Sequence, residues 1–154
     1  MSRFQVNTGP ISLTASTTKT VLDLATPAGP VASVAKWWSW TDATSAGTAT
    51  SGIRLQVGLF SAAVTTHTAY TPDPFDYGGN GVASQMTAGV NTTSEGAGTA
   101  THIEEHVLGL TQSGLLVWEP VSRVIPASSF WRIRLIIPAN IGTTNGYFGV
   151  AWDE

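Results

Sequence analysis

The sequence contains no cysteine and very little charge. Its 154 residues include 7 Lys and Arg and 10 Asp and Glu, so charged residues make up 11 %, against about 25 % in a typical soluble domain. The lack of cysteine excludes disulfides, thiolate metal ligands and a thiol nucleophile. With a net charge of −3, the chain lacks the basic surface that neutralises phosphates, so we expect no nucleic-acid partner. A polar surface with so little charge favours packing against neighbouring molecules.

Long apolar runs are also lacking. No stretch approaches the roughly 20 residues of a membrane-spanning helix, and the opening "MSRFQVNTGP" has no apolar segment typical of a signal peptide. We therefore expect a soluble protein without a membrane partner. The length predicts one domain, 1–154, because about 150 residues can bury roughly two-thirds of the unfolded surface without a metal or a disulfide.

Strand patterns fill the space between Gly, Pro, Ser and Thr breakers. Apolar residues alternate with period 2, and no segment sustains a 3.6-residue period. The sequence predicts an all-β fold, an antiparallel β-sandwich of jelly-roll type with about eight strands. Residues 1–9 are expected to form a short N-terminal arm. Residues 71–100 are expected either to form a long irregular loop or to hide one or two short strands near 82–86. The predicted strands are 3–7, 11–16, 19–26, 31–42, 53–60, 101–110, 114–121, 130–139 and 146–154.

One stretch, "THIEEH", has the spelling of a zinc-peptidase motif, with His102, Glu105 and His106 in the required places. That motif works on a helix, whereas the flanking sequences here predict a strand. On a strand, His102, Glu104 and His106 share one face and Glu105 points away. The peptidase interpretation therefore fails on geometry. A metal site on the His102 face, with His67 as a further ligand, stays open beside the simpler hypothesis that an edge strand carries polar residues.

Other constellations predict no catalytic chemistry. Asp73, Asp76 and Asn80 lie in a Gly-rich loop but miss the spacing of a calcium loop. No nucleophile elbow or phosphate loop is present, and the spacing of the carboxylates selects no glycosidase pair. We expect a protein that is not an enzyme and has no cofactor and no metal.

The tryptophans of "KWWSW" divide between two faces of a predicted strand. Strict alternation places Trp38 and Trp40 on the face of Val34, in the core, and turns Trp37 outward. Trp37 then joins other apolar residues on a face lined by arginine, the composition of a protein–protein contact. The alternative, that these residues cover one another under a loop, stays open. Together with the N-terminal strand, which could be donated to a neighbouring sheet, the predicted contact residues are Arg3, Phe4, Gln5, Trp37, Phe60, Phe130 and Ile136.

The chain resembles small virion proteins encoded by tailed bacteriophages, most strongly over residues 3–60 and weakly afterwards. The resemblance lies in "FQVNTGPISLTASTTKTVLDLATPAG" followed by "WWSWTDATSAGT", and in the aromatic close "GYFGVAWDE". It implies a capsid decoration or head-stabilising protein, a homotrimer bound to the major capsid protein on the outer shell and made in the host cytoplasm. Alternatives are a phage tail component and a carbohydrate-binding β-sandwich that uses an exposed Trp and the 71–81 loop with Tyr70 and Tyr77.

Overall fold

The structure is a computed structural model that describes residues 2–29, 31–43, 45, 47–75, 82–109, 116–118 and 123–154. Strands and turns account for this part of the chain, and no helix occurs in it. The predicted all-β fold is confirmed. The strand segments of the described residues are β1 Arg3–Asn7, β2 Ile11–Leu13, β3 Thr17–Ala25, β4 Ala32–Ala43, β5 Ile53–Phe60, β6 Thr66–Tyr70, β7 Asp73–Pro74, β8 Thr87–Ser94, β9 Ala100–Leu108, β10 Leu116–Trp118, β11 Arg123–Ile125, β12 Phe130–Ile137 and β13 Thr144–Asp153.

Two antiparallel sheets pack face to face, as in a β-sandwich. Sheet A has the order β10–β4–β13–β1–β7, with β11 also on β4 and β2 also on β13. Sheet B has the order β6–β8–β3–β12–β5–β9. Every strand pairing is antiparallel. The antiparallel sandwich predicted from the alternation is therefore what the chain forms.

The core lies between the sheets and is built by the alternation seen in the sequence. On β12, Trp131, Ile133, Leu135 and Ile137 are all 4 % exposed or less, and they share one face because side chains two apart point the same way. Burying each such side chain stabilises the fold by about 1.5–3 kcal/mol. This face was predicted, and it is confirmed.

The first strand is part of its own sheet rather than a free arm. All five residues of β1 pair with β13, and Phe4 and Gln5 also pair with β7. Phe4 is 2 % exposed and Val6 is fully buried. The predicted free arm is therefore wrong for this fold, because these residues lie within the sheet and its core. Donation of β1 to a neighbouring sheet stays a prediction.

The segment 71–100 contains a full strand, β8, at Thr87–Ser94. Of the two alternatives, an irregular loop and a hidden strand, the hidden strand is therefore the correct one. Its predicted position, 82–86, lies just before the observed strand. β8 escaped prediction because its sequence "TAGVNTTS" has few large apolar residues, although it lies between β3 and β6. Within the loop, Tyr77 and residues 76–81 lie outside the described residues, as do the ends of the predicted strand 114–121.

A β-bulge reverses the phase of β4. Ala151 on β13 pairs with Lys36, and the next residue, Trp152, pairs with Val34, so Ala35 is the extra residue. Val34 is 1 % exposed, and after the bulge Trp37 is 1 % exposed. The predicted orientation of the three tryptophans is therefore wrong: Trp37 lies in the core, whereas Trp40 is 40 % exposed on the outer face.

Candidate functional site

The outer face of sheet A carries a row of aromatic rings. On β4, Trp38 and Trp40 point outward, and Trp40 stacks on Tyr147 of β13 with the ring centroids 4.7 Å apart and the planes at 23°. Trp38 lies flat over Gly149, where a Cβ atom would come within 2.1 Å of the indole. Trp38 is half-buried and Trp40 is 40 % exposed, so the two indoles and Tyr147 form an aromatic surface on this face.

Exposed aliphatic side chains extend this surface at the edge of sheet A. Val117 of β10 lies opposite Trp38, and Val124 of β11 lies opposite Ser33. Val117 and Val124 are 46 % and 56 % exposed. A contiguous apolar surface on a soluble protein commonly marks a site of interaction.

Cationic groups flank the aromatic row. The Lys36 ammonium lies 5.7 Å from the Trp38 ring and 5.3 Å from the Phe75 ring, and Arg3 lies 5.7 Å from the same Phe75 ring. Arg3 also donates hydrogen bonds of 2.7 and 2.9 Å to Asp153. These bonds hold the pKa of Asp153 below its usual value. Aromatic residues mixed with arginine are typical of the centre of protein–protein contacts.

The outer face of sheet B is charged and internally paired. Glu105 accepts hydrogen bonds from Gln56 at 2.5 Å and from Arg54 at 2.8 Å. These bonds, the one from Gln56 first, lower the pKa of Glu105. Arg134 donates to the same Gln56 side chain at 2.7 Å. These hydrogen bonds join β5, β9 and β12 on this face, where Val107 of β9 is 69 % exposed.

A histidine–aspartate pair spans three strands of sheet B. His67 of β6 reaches over Gly89 of β8 to Asp23 of β3, with Nδ1 2.9 Å from one carboxylate oxygen and 3.0 Å from the other. Only glycine fits beneath the ring, because a Cβ at Gly89 would lie 2.0 Å from Nδ1. Burial raises the pKa of Asp23, and the neighbouring His67 opposes that shift.

The predicted contact residues do not form one surface. Trp37 and Phe4 are core residues, and Phe60 is 3 % exposed. The Phe60 ring lies between the guanidinium groups of Arg132 and Arg134, 4.8 and 4.5 Å away. Arg132 in turn donates to the carbonyl of Ala62 in the loop after β5. Contact through Phe4, Trp37 and Phe60 is therefore ruled out while the fold is intact, and the alternative of mutual cover under a loop describes Phe60.

The remaining predicted contact residues are accessible to different degrees. Phe130 and Ile136 are half-buried on the outer face of sheet B, where they pair with Phe60 and Arg54. Arg3 is exposed and Gln5 half-buried on the outer face of sheet A. Their role in contact stays a prediction. Only Arg3 and Gln5 share a face with the aromatic row.

The "THIEEH" segment is a strand, as predicted, and lies in β9. Glu105 points to the outer face of sheet B, whereas Glu104 pairs with Arg123 of β11 across the opening of the sandwich. The His106 ring packs against Trp37 with the centroids 5.3 Å apart. No three His, Asp or Glu side chains in the described ranges are grouped to hold a metal ion. His67 belongs to the outer face of sheet B and not to the His102 group.

A cavity of about 220 Å³ lies behind the Glu104–Arg123 ion pair. Trp37 and Trp131 line it from within. The volume is below the roughly 300–1,000 Å³ of pockets that hold drug-sized ligands. The ion pair joins the edges of the two sheets across this cavity, and we assign it no ligand.

The aromatic surface of sheet A was missed because the bulge is invisible to strict alternation. One signal could have found it. Alternation continued from Val34 would bury the charged side chains of Lys36 and Asp42 beside Trp38 and Trp40, at a cost of several kcal/mol for each charge. A change of phase between Val34 and Lys36 avoids that cost.

The described residues contain no helix of the length and apolarity that a membrane crossing requires. The chain matches no protein-family model, no curated protein and no solved structure.

Proposed function

We propose that this chain is a non-enzymatic structural protein of a phage virion, a capsid decoration protein that binds the major capsid protein and stabilises the outer shell as a homo-oligomer. The observation that carries the proposal is the apolar aromatic outer face of sheet A. Such a face costs solubility in an isolated chain and is useful where copies pack together.

The strand order supports a jelly roll within the observed sandwich. Taken along the chain, the principal strands are β1 with β2, β3, β4, β5, β9, β10 with β11, β12 and β13, numbered one to eight. Sheet A then runs one–eight–three–six, and sheet B runs two–seven–four–five. This is the order of a chain folded as two Greek keys, and viral capsid domains are among the proteins built in this way.

The polar groups of the described strands support a structural rather than a catalytic role. Glu104, Glu105 and Asp23 each bind a partner from another strand, Arg123, Arg54 and His67 respectively. Pairs of this kind join strands and sheets to one another. The proposed function requires binding and no reaction. Copies of the protein would associate with the shell by mass action, and their many weak contacts would add through avidity.

Binding to capsids that lack this protein tests the proposal. The purified protein is mixed with such capsids and sedimented, and the heat stability of the capsids is measured with and without it. We expect saturable binding at a fixed ratio of copies to capsid subunits and a higher temperature of capsid disruption. A folded protein that stays in the supernatant at all concentrations refutes the proposal, and binding to tails alone supports the tail alternative.

The carbohydrate-binding alternative is favoured by one observation, the outward-facing Trp38 and Trp40 rings, of which Trp40 is 40 % exposed. Sugar rings can stack on such a surface. A glycan array separates the two functions, because a capsid protein that uses this face for protein contact gives no saturable sugar binding. Sugar binding that is lost in Trp38→Ala would support the alternative.

A further inference from the structure

The outward side chains of β4 after the bulge form a self-complementary series. In order along the strand they are Lys36, Trp38, Trp40 and Asp42. Read from the opposite end, the series keeps its two tryptophans and exchanges its charges. Turning a second copy end over end therefore sets each cation opposite an anion and each indole opposite an indole. A contact between identical surfaces around a twofold axis requires this kind of complementarity.

We propose that the outer face of sheet A binds the same face of a second copy around a twofold axis that lies between the two facing sheets, level with Ser39 and roughly perpendicular to β4. This inference rests on the proposed homo-oligomer and names its contact. Lys36 then faces the partner's Asp42, and Trp38 faces the partner's Trp40. Both pairs occur twice.

The distances permit the contact. Lys36 and Asp42 are each three residues from Ser39, which is about 10 Å along a strand. Two sheets packed face to face cross at about 30°, so the ends of the two series are displaced sideways by about 5 Å. The flexible stem of a lysine spans such an offset.

The charged ends are available for pairing. Lys36 and Asp42 are both half-buried on this face. Within the described residues, Asp42 forms no ion pair, whereas Lys36 lies near aromatic rings only. The carboxylate of the partner's Asp42 would bind the Lys36 ammonium group where it already lies beside the Trp38 and Phe75 rings.

The contact area predicts weak association in solution. The series spans about 20 Å along β4, and four strands from β10 to β1 span about 20 Å across. The face thus covers roughly 400 Å² per copy, about half of the 800 Å² per partner found in stable complexes. Pairing is therefore expected at high protein concentration, and on a shell it would gain from neighbouring contacts.

A twofold contact joins copies in even numbers. Alone it gives a dimer. Combined with the threefold association that the phage resemblance implies, it gives six copies. A protein that forms trimers and associates no further would not make this twofold contact.

Charge exchange tests the contact. We would measure sedimentation from low micromolar to about millimolar protein for the wild type, Lys36→Asp, Asp42→Lys and the double variant. Each single variant sets like charges opposite each other twice, so we expect self-association at least about tenfold weaker. The double variant restores both pairs and regains the association of the wild type. Mixing the two single variants is expected to give heterodimers, because their charges are complementary.

Arg54→Asp serves as the control, since it makes the same change of charge on the outer face of sheet B. It should pair like the wild type. Circular dichroism confirms that each variant is folded. A wild type that stays monomeric or only trimeric, single variants that associate like the wild type, or single variants that do not form heterodimers would each overturn the contact. Capsid sedimentation separates the proposals: pairing without capsid binding removes the proposed function and leaves this contact standing.

Discussion

Replacing Gly149 by alanine tests the position of the Trp38 ring. The added methyl group would lie 2.1 Å from Cε2 and Cζ2 of the indole, well inside the 3.5–4.0 Å of a normal carbon contact. The backbone at Gly149 is fixed between β4 and β1, where it pairs with Trp38 and Asn7. The ring therefore has to move away from the sheet.

The cost follows from the surface that the ring uncovers. One face of an indole is about 60 Å², roughly a third of the area that a tryptophan buries, and at 25 cal/mol per Å² its exposure costs about 1.5 kcal/mol. Alanine returns about 0.5 kcal/mol, because glycine loses more chain freedom on folding. We expect Gly149→Ala to lower the free energy of unfolding by about 1 kcal/mol, which is about 2–4 °C in Tm.

Urea denaturation followed by tryptophan emission measures both effects of Gly149→Ala, the lower stability and a shift of the native emission to longer wavelength. Gly109→Ala is the matched control, because a Cβ at Gly109 meets no atom within 4 Å. The control is expected to differ from the wild type by less than about 0.5 kcal/mol. Unchanged stability and unchanged emission in Gly149→Ala would show that Trp38 does not lie flat on the sheet.

Two further predictions concern pairs that include a carboxylate. Gly89→Ala should push His67 away from Asp23, which is 7 % exposed. We expect the free energy of unfolding to fall by about 2 kcal/mol at pH 7 and by less in acid, because a protonated Asp23 carboxyl no longer needs its partner. Equal stability of the variant and the wild type in urea unfolding at pH 7 would contradict this prediction. Arg3→Gln concerns a carboxyl group whose pKa is lowered in the folded state, because Arg3 binds Asp153. The stabilisation from this pair is present at neutral pH and is lost as the pH falls through the folded pKa of Asp153. Because Arg3 is 44 % exposed, we expect less than about 1 kcal/mol, and a difference from the wild type that is the same at pH 7 and pH 3 would refute the linkage.

Strands with regular alternation were predictable from the sequence. The predicted strand 53–60 coincides with β5, and its inward residues Ile53, Leu55 and Val57 are all 3 % exposed or less. Such strands can be predicted because each inward apolar residue contributes separately to the stability of the core, so the two-residue period is kept in the sequence. β8 fails the same test, because its inward residues Ala88 and Thr92 are not large and apolar. The glycine at position 89 lies under the His67 ring from β6, a long-range contact that leaves no local pattern.

The candidate surface could not be predicted by alternation, because a single inserted residue decides which tryptophans face solvent. Without the bulge at Ala35, the phase of Val34 would place Lys36 and Asp42 in the core and leave Trp37 outside. The observed phase instead gives the core one tryptophan and leaves two outside between opposite charges. A bulge weakens local pairing, so its presence in a central strand indicates that the charges at both ends weighed more than a regular ladder. The two charges that the bulge turns outward are also the ones that make the outer series self-complementary. Exchanging them keeps both outward positions charged, so it should disturb association without disturbing the fold.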